Sequence, residues 1–173
     1  MRFPAGMLVV LCLLLFGADG GRTQDPQGVD VQVVKYDGLK EAVLKNRGKV
    51  VVVDFWATWC VPCVKNFPHV VEMQKKYAKD GLVVISVSID ELGDNTPEQR
   101  KDKVLKRLQA LQAKGTKNLI LDESSELLKK KLRIESIPSV YVFNRQGQWI
   151  QFTSEEASPK AVEDLALKWL REK

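Results

Sequence analysis

The sequence predicts an α/β protein: a central mixed sheet flanked by helices. Three observations carry that expectation. Val50-Val51-Val52-Val53 is a run of four β-branched residues, apolar on both strand faces, so the strand is covered from both sides, as in parallel or mixed sheets. Residues 82–89 repeat the pattern as a second buried strand. Asn144-Arg145-Gln146-Gly147 joins two further strand-like runs as a hairpin turn, which makes part of the sheet antiparallel.

Each element has its own sequence signal. Residues 29–36 alternate loosely and read as a first strand. Residues 38–46 read as a short helix, with Asp37 as N-cap and Gly48 just past its end. The valine strand follows and runs into a helix with Phe67, Val70, Val71, Met73 and Tyr77 on its core face, closed by Gly81. After the second buried strand, Thr96 is an N-cap, Pro97 takes the first helical position and Gln99 completes a capping box. Val104, Leu105, Leu108 and Leu111 then recur at helical spacing, and Gly115 ends that helix. Residues 118–121 read as a short strand, and a helix is expected from Ser124, with Lys129-Lys130-Lys131 on its solvated face. Residues 139–143 and 148–153 form the hairpin strands, and Ser158 caps a last helix over 159–171. Its inward positions are Val162, Leu165, Ala166, Trp169 and Leu170.

The 173 residues suit one domain with a sizeable core, and 45% hydrophobic with 28% charged residues is a soluble globular composition. The net charge of +5 is mild and both signs are interspersed, which points to solubility rather than a nucleic-acid partner. Residues 1–20 read as a secretory signal peptide, with Arg2 as the positive start, an apolar run from Met7 to Phe16 and Ala18-Asp19-Gly20 at the cut. The apolar run is too short to span a bilayer comfortably, so no stable membrane insertion is expected after cleavage; an uncleaved anchor is the alternative. Cys12 leaves with the signal, because Leu11 before it is not the small residue a lipoprotein signal needs. Residues 21–28 form a flexible lead-in and 29–173 the folded domain. The expected location is outside the cytoplasm, in the periplasm or on the extracellular side of the membrane, where a mature chain with one cysteine pair suits redox work.

That pair is the centre of the reading. Cys60 stands where the valine strand ends and a helix begins, the edge at which open α/β sheets place their chemistry. Unpaired N–H groups and the positive end of the helix favour thiolate over thiol there, so Cys60 is the expected nucleophile. Cys63 lies one turn on, on the same face, and Pro62 falls in the first turn, where a missing N–H costs little. A structural disulfide or half of a metal site is the bland alternative for a CxxC.

At Val53-Asp54-Phe55-Trp56-Ala57-Thr58-Trp59-Cys60-Val61-Pro62-Cys63, with Pro68 as the proline inside the following helix, the chain resembles the thioredoxin superfamily. The resemblance runs from about Val31 to the C-terminus. It implies a thioredoxin fold: a CxxC-containing βαβ half and a ββα half. The helix–strand unit inserted between them resembles exported TlpA/ResA-type oxidoreductases of the cell envelope. The resemblance also implies that Asp54 holds the place of the buried acid that carries a proton for the second thiol. Pro138 implies a cis-proline packed against the CxxC, and Trp59, Ile137 and Pro138 would meet the substrate. Asn66 stands where TlpA/ResA-type proteins usually carry Glu, and Asp54 where they often carry Asn, so the acid sits at the thioredoxin location.

The expected function is therefore thiol–disulfide oxidoreductase, reducing protein disulfides outside the cytoplasm, with a redox partner that recycles the cysteine pair. An oxidant or isomerase of the same fold is the runner-up, but Val61-Pro62 contains no histidine to favour the thiolate further. A peroxiredoxin-like peroxidase is less favoured, because Ala57 stands where its Thr belongs, three residues before the nucleophile. A non-catalytic binding module would not need the intact Trp59-Cys60-Val61-Pro62-Cys63 with Asp54 and Pro138. No cofactor or metal is expected: Val64 follows Cys63, so the haem pattern is absent, and the single His69 reads as a surface or groove residue.

Overall fold

The computed structural model describes residues 28–91 and 93–172; the expected signal segment and nearly all of the lead-in lie outside them. In chain order the elements are β1 (Gln32–Val34), α1 (Tyr36–Leu44), β2 (Val50–Trp56), α2 (Val61–Tyr77), β3 (Leu82–Ser88) and α3 (Pro97–Ala110). They continue with β4 (Lys117–Leu121), α4 (Ser125–Leu132), β5 (Ser139–Phe143), β6 (Trp149–Thr153) and α5 (Pro159–Arg171). The six strands form one sheet in the order β1-β4-β3-β2-β5-β6. β1, β4, β3 and β2 run parallel, whereas β5 pairs antiparallel to β2 and β6 antiparallel to β5. The mixed sheet and its hairpin are those the sequence predicts, and α3–β4 stands between the two halves.

β2 is central, and all seven of its residues are buried. Alternation sends Val50, Val52 and Trp56 to one face and Val51, Val53 and Phe55 to the other. The first face is covered by α2, α3 and α5, through Phe67, Leu108 and Trp169 among others; the second by α1 and α4, through Leu39 and Leu128. Burying each such valine from water is worth roughly 1.5 kcal/mol or more. Asp54 is on the first face by the same alternation, so a carboxylate is held under α2. Indole Nε1 of Trp56 donates to Ser86 Oγ at 2.9 Å, and its ring meets Phe67 edge-on at 5.0 Å, which fixes α2 over the strand end.

Three element boundaries differ most from the sequence expectation. α3 ends at Ala110, short of Gly115, with Leu111 as its C-cap. α1 starts at Tyr36, with Lys35 in the cap position and no side-chain cap bond, so Asp37 sits in the first turn rather than capping it. A tertiary acceptor replaces the local one: Glu123 Oε1 takes the Tyr36 N–H at 2.9 Å. The first strand shortens to Gln32–Val34 because only those residues have partners in β4; Val29 and Val31 are buried without joining the ladder. The capping box of α3 and the Ser158 cap form as expected, and Ser124 is the N-cap of α4. No helix among the described residues is long and apolar enough to cross a membrane.

Candidate active site

β2 ends at Trp56, the chain turns through Ala57-Thr58-Trp59, and α2 opens with Cys60 as its N-cap. Cys60 has extended backbone, and its Sγ accepts the N–H of Cys63 at 3.3 Å. That N–H is one of the donors a helix start leaves unpaired, and it points at the sulfur that would carry charge. The two cysteines form a disulfide with S–S 2.04 Å and Cα atoms 5.3 Å apart. Pro62 occupies the first turn without interrupting it, and Pro68 lies inside the helix, where it gives up one backbone bond.

Both cysteines are nearly sealed, whereas their neighbours Trp59 and Val61 are 64% and 77% exposed. The turn before Cys60 is held by a residue that sequence reasoning missed. Asp90, buried just past β3, accepts the Thr58 N–H at 2.8 Å, the Thr58 hydroxyl and the Ser88 hydroxyl at 2.9 Å. Lys103 of α3 reaches the same carboxylate at 3.4 Å. The signal available was an acid directly after a buried strand, at the edge where Cys60 also sits.

Asp54, Cys63 and Pro138 line one narrow cavity of about 20 Å³, together with Asn66, His69 and others. That volume holds about one water molecule, enough to bridge two polar groups. Burial pushes the Asp54 carboxyl up to about 7. The Ile137–Pro138 peptide is cis, and Pro138 is buried. Ile137 lines a separate groove with Trp59 and Ile89. The structure thus brings Cys60, Cys63, Asp54, Trp59, Ile137 and Pro138 to one edge of the sheet. His69 is partly exposed, and its Nε2 lies 3.2 Å from Glu163 Oε2, outside hydrogen-bond geometry; Glu163 in turn accepts the Tyr77 hydroxyl at 2.7 Å.

A mixed sheet of this order, with a CxxC opening the helix after its central strand and a cis-proline across from it, defines the thioredoxin-fold class of thiol–disulfide oxidoreductases. A family model described as thioredoxin-like matches residues 48–149, and the chain belongs to that family. Among curated relatives, the thiol-disulfide oxidoreductase ResA of Bacillus thuringiensis subsp. konkukian (strain 97-27) is 26% identical over 136 residues, 79% of this chain and 72% of the relative. The thioredoxin-like protein YneN of Bacillus subtilis (strain 168) is 27% identical over 127 residues, 73% of this chain and 69% of the relative. Among solved structures, a putative thiol:disulfide interchange protein DsbE from Chlorobium tepidum matches with a TM-score of 0.57 and 25% identity, over 74% of this chain and 84% of that one. The protein is a thiol–disulfide oxidoreductase of the thioredoxin fold with a Cys60–Cys63 pair.

Proposed function

We propose that the Cys60–Cys63 pair reduces protein disulfides outside the cytoplasm. In the reduced protein the Cys60 thiolate attacks one sulfur of the substrate disulfide, forming a mixed disulfide and releasing the other sulfur as a thiolate. Cys63 loses its proton and attacks Cys60 Sγ, which closes the ring disulfide and frees the substrate as a dithiol. Two electrons have then passed to the substrate, and a partner dithiol must return them by the reverse exchange. Asp54 takes the Cys63 proton, through the cavity they share, and titrates near neutrality because it is buried. Trp59 and Ile137 give the substrate chain its surface, and the buried Pro138 sets the backbone behind it. Export rests on the signal-like pattern of residues 1–20.

The direction rests on one observation: the carboxyl of Asp54 is buried in the cavity wall it shares with Cys63. When ionised it opposes a second negative charge nearby, and Val61-Pro62 supplies no histidine to offset it. A weakly favoured thiolate makes a weak oxidant. Equilibrating the protein with a glutathione buffer should give a reduction potential nearer about −270 than −120 mV. A value above roughly −180 mV, the isomerase range, overturns the reductase direction and favours oxidation or isomerisation.

A further inference from the structure

We propose that the face of α3 beside Trp59 docks the acidic flank of a polypeptide substrate, so that the enzyme selects disulfides neighboured by Asp and Glu. The proposal deepens the reading above and rests on exchange at Cys60, whichever way the electrons run.

Trp59 stands as an exposed ridge between two grooves. The groove on its Ile137 side carries both signs, with Lys103 and Lys129 set against Glu91 and Glu135. The groove on its α3 side is lined by Thr58, Trp59, Lys103, Lys106, Arg107 and Ala110: three cations and no acid. Positions 103, 106 and 107 fall on adjoining stripes of one helix. Lys103 leans on the buried Asp90, which neutralises at most one of the three. Among the described residues, neither Lys106 nor Arg107 has a carboxylate within ion-pair distance.

A cationic helix face is commonly just solvated. Its place sets this one apart. A polypeptide whose sulfur reaches Cys60 must lay chain against Trp59, and on one side it meets only positive charge. Carboxylates there gain the attraction of at least two cations that no carboxylate offsets, Lys106 and Arg107, and Arg107 offers the planar fork that fits a carboxylate. The field spans about 10 Å at 0.1 M salt, enough to cover a few residues flanking the reacting cysteine.

The test uses three synthetic peptides with the same disulfide, flanked by aspartates, serines or lysines, each reduced by the full chain. At low ionic strength the rate constant for attack should run aspartate above serine above lysine, with roughly tenfold or more between the extremes. The order should collapse near 1 M salt, where screening acts within about 3 Å. The double variant Lys106→Glu with Arg107→Glu should level or invert the order. Lys75→Glu with Lys79→Glu, an equal charge change on exposed residues at the far end of α2 and just beyond it, should keep it. Equal rates for the three peptides at low salt overturn the proposal; so does a control variant that loses the preference as fully as the α3 variant, since net charge would then suffice. The serine-flanked peptide separates the two readings. Exchange with it but no charge preference overturns the docking face alone, whereas no exchange with any peptide overturns the exchange reading and the docking with it.

Discussion

Cys60 is 5% exposed and Cys63 2%, while the residues on either side of Cys60 stand open. In the proposed mechanism an incoming sulfur meets Cys60 first, and Cys63 acts from within. The division of labour has a direct test at these two positions. Cys60→Ser should abolish disulfide reduction outright. Cys63→Ser should stop after the first exchange and leave substrate linked to Cys60, a species that mass spectrometry detects under non-reducing conditions. Normal turnover by Cys63→Ser would reverse the assignment. The pair and its place at the helix start were legible in the sequence, because a CxxC after a buried valine run places both sulfurs without further information. Asp90 was not legible as a partner of Thr58, since the two are far apart in sequence and meet only once β3 lies against β2.

Asp90 ties three elements together: the end of β3, the turn that presents Cys60, and α3 through Lys103. It is 2% exposed, so its acceptors have no water to fall back on. Asp90→Asn keeps the shape but puts an amide where a carboxylate accepted several donors, and should cost about 2 kcal/mol, the scale of hydrogen bonds to a charged group. Urea unfolding would show it as a lower midpoint with an unchanged slope. A loss under about 0.5 kcal/mol would mean that the turn stands without this clamp. α3 shows a second limit of local reading. Its capping box and its Val104 and Leu108 core positions follow from the sequence, yet Arg100 is also buried, with Nη1 2.8 Å from Asp122 Oδ1. Periodicity marks where apolar residues belong and is silent on a cation whose partner sits on another element. The same reason accounts for α1, whose true start depends on Glu123 rather than on the nearby Asp37.

For the whole molecule, β2 organises the sheet, and its seven buried residues include one that opposes folding at neutral pH. The unfolded chain ionises Asp54 near its ordinary value of 3.8, but the folded protein holds the proton until about 7. Between those values the folded state binds more protons than the unfolded one, so stability falls as pH rises through that window. It is fully present below about pH 4 and levels off above about pH 7. The cost at the plateau is on the order of 4 kcal/mol at 1.36 kcal/mol per unit, a sizeable part of a domain's total stability. Asp54→Asn removes the ionisation while keeping the shape. The variant and the parent should unfold at similar denaturant concentrations at pH 4, and the variant should be clearly the more stable at pH 8. If Asp54 carries the proton as proposed, the same variant should reduce disulfides more slowly near neutrality. Stability gained at neutral pH and activity lost together would mean that the buried acid is retained for exchange at the expense of the fold. Equal stabilisation at pH 4 and pH 8 would instead trace the effect to packing, and the carboxyl would lose its part in the pH dependence.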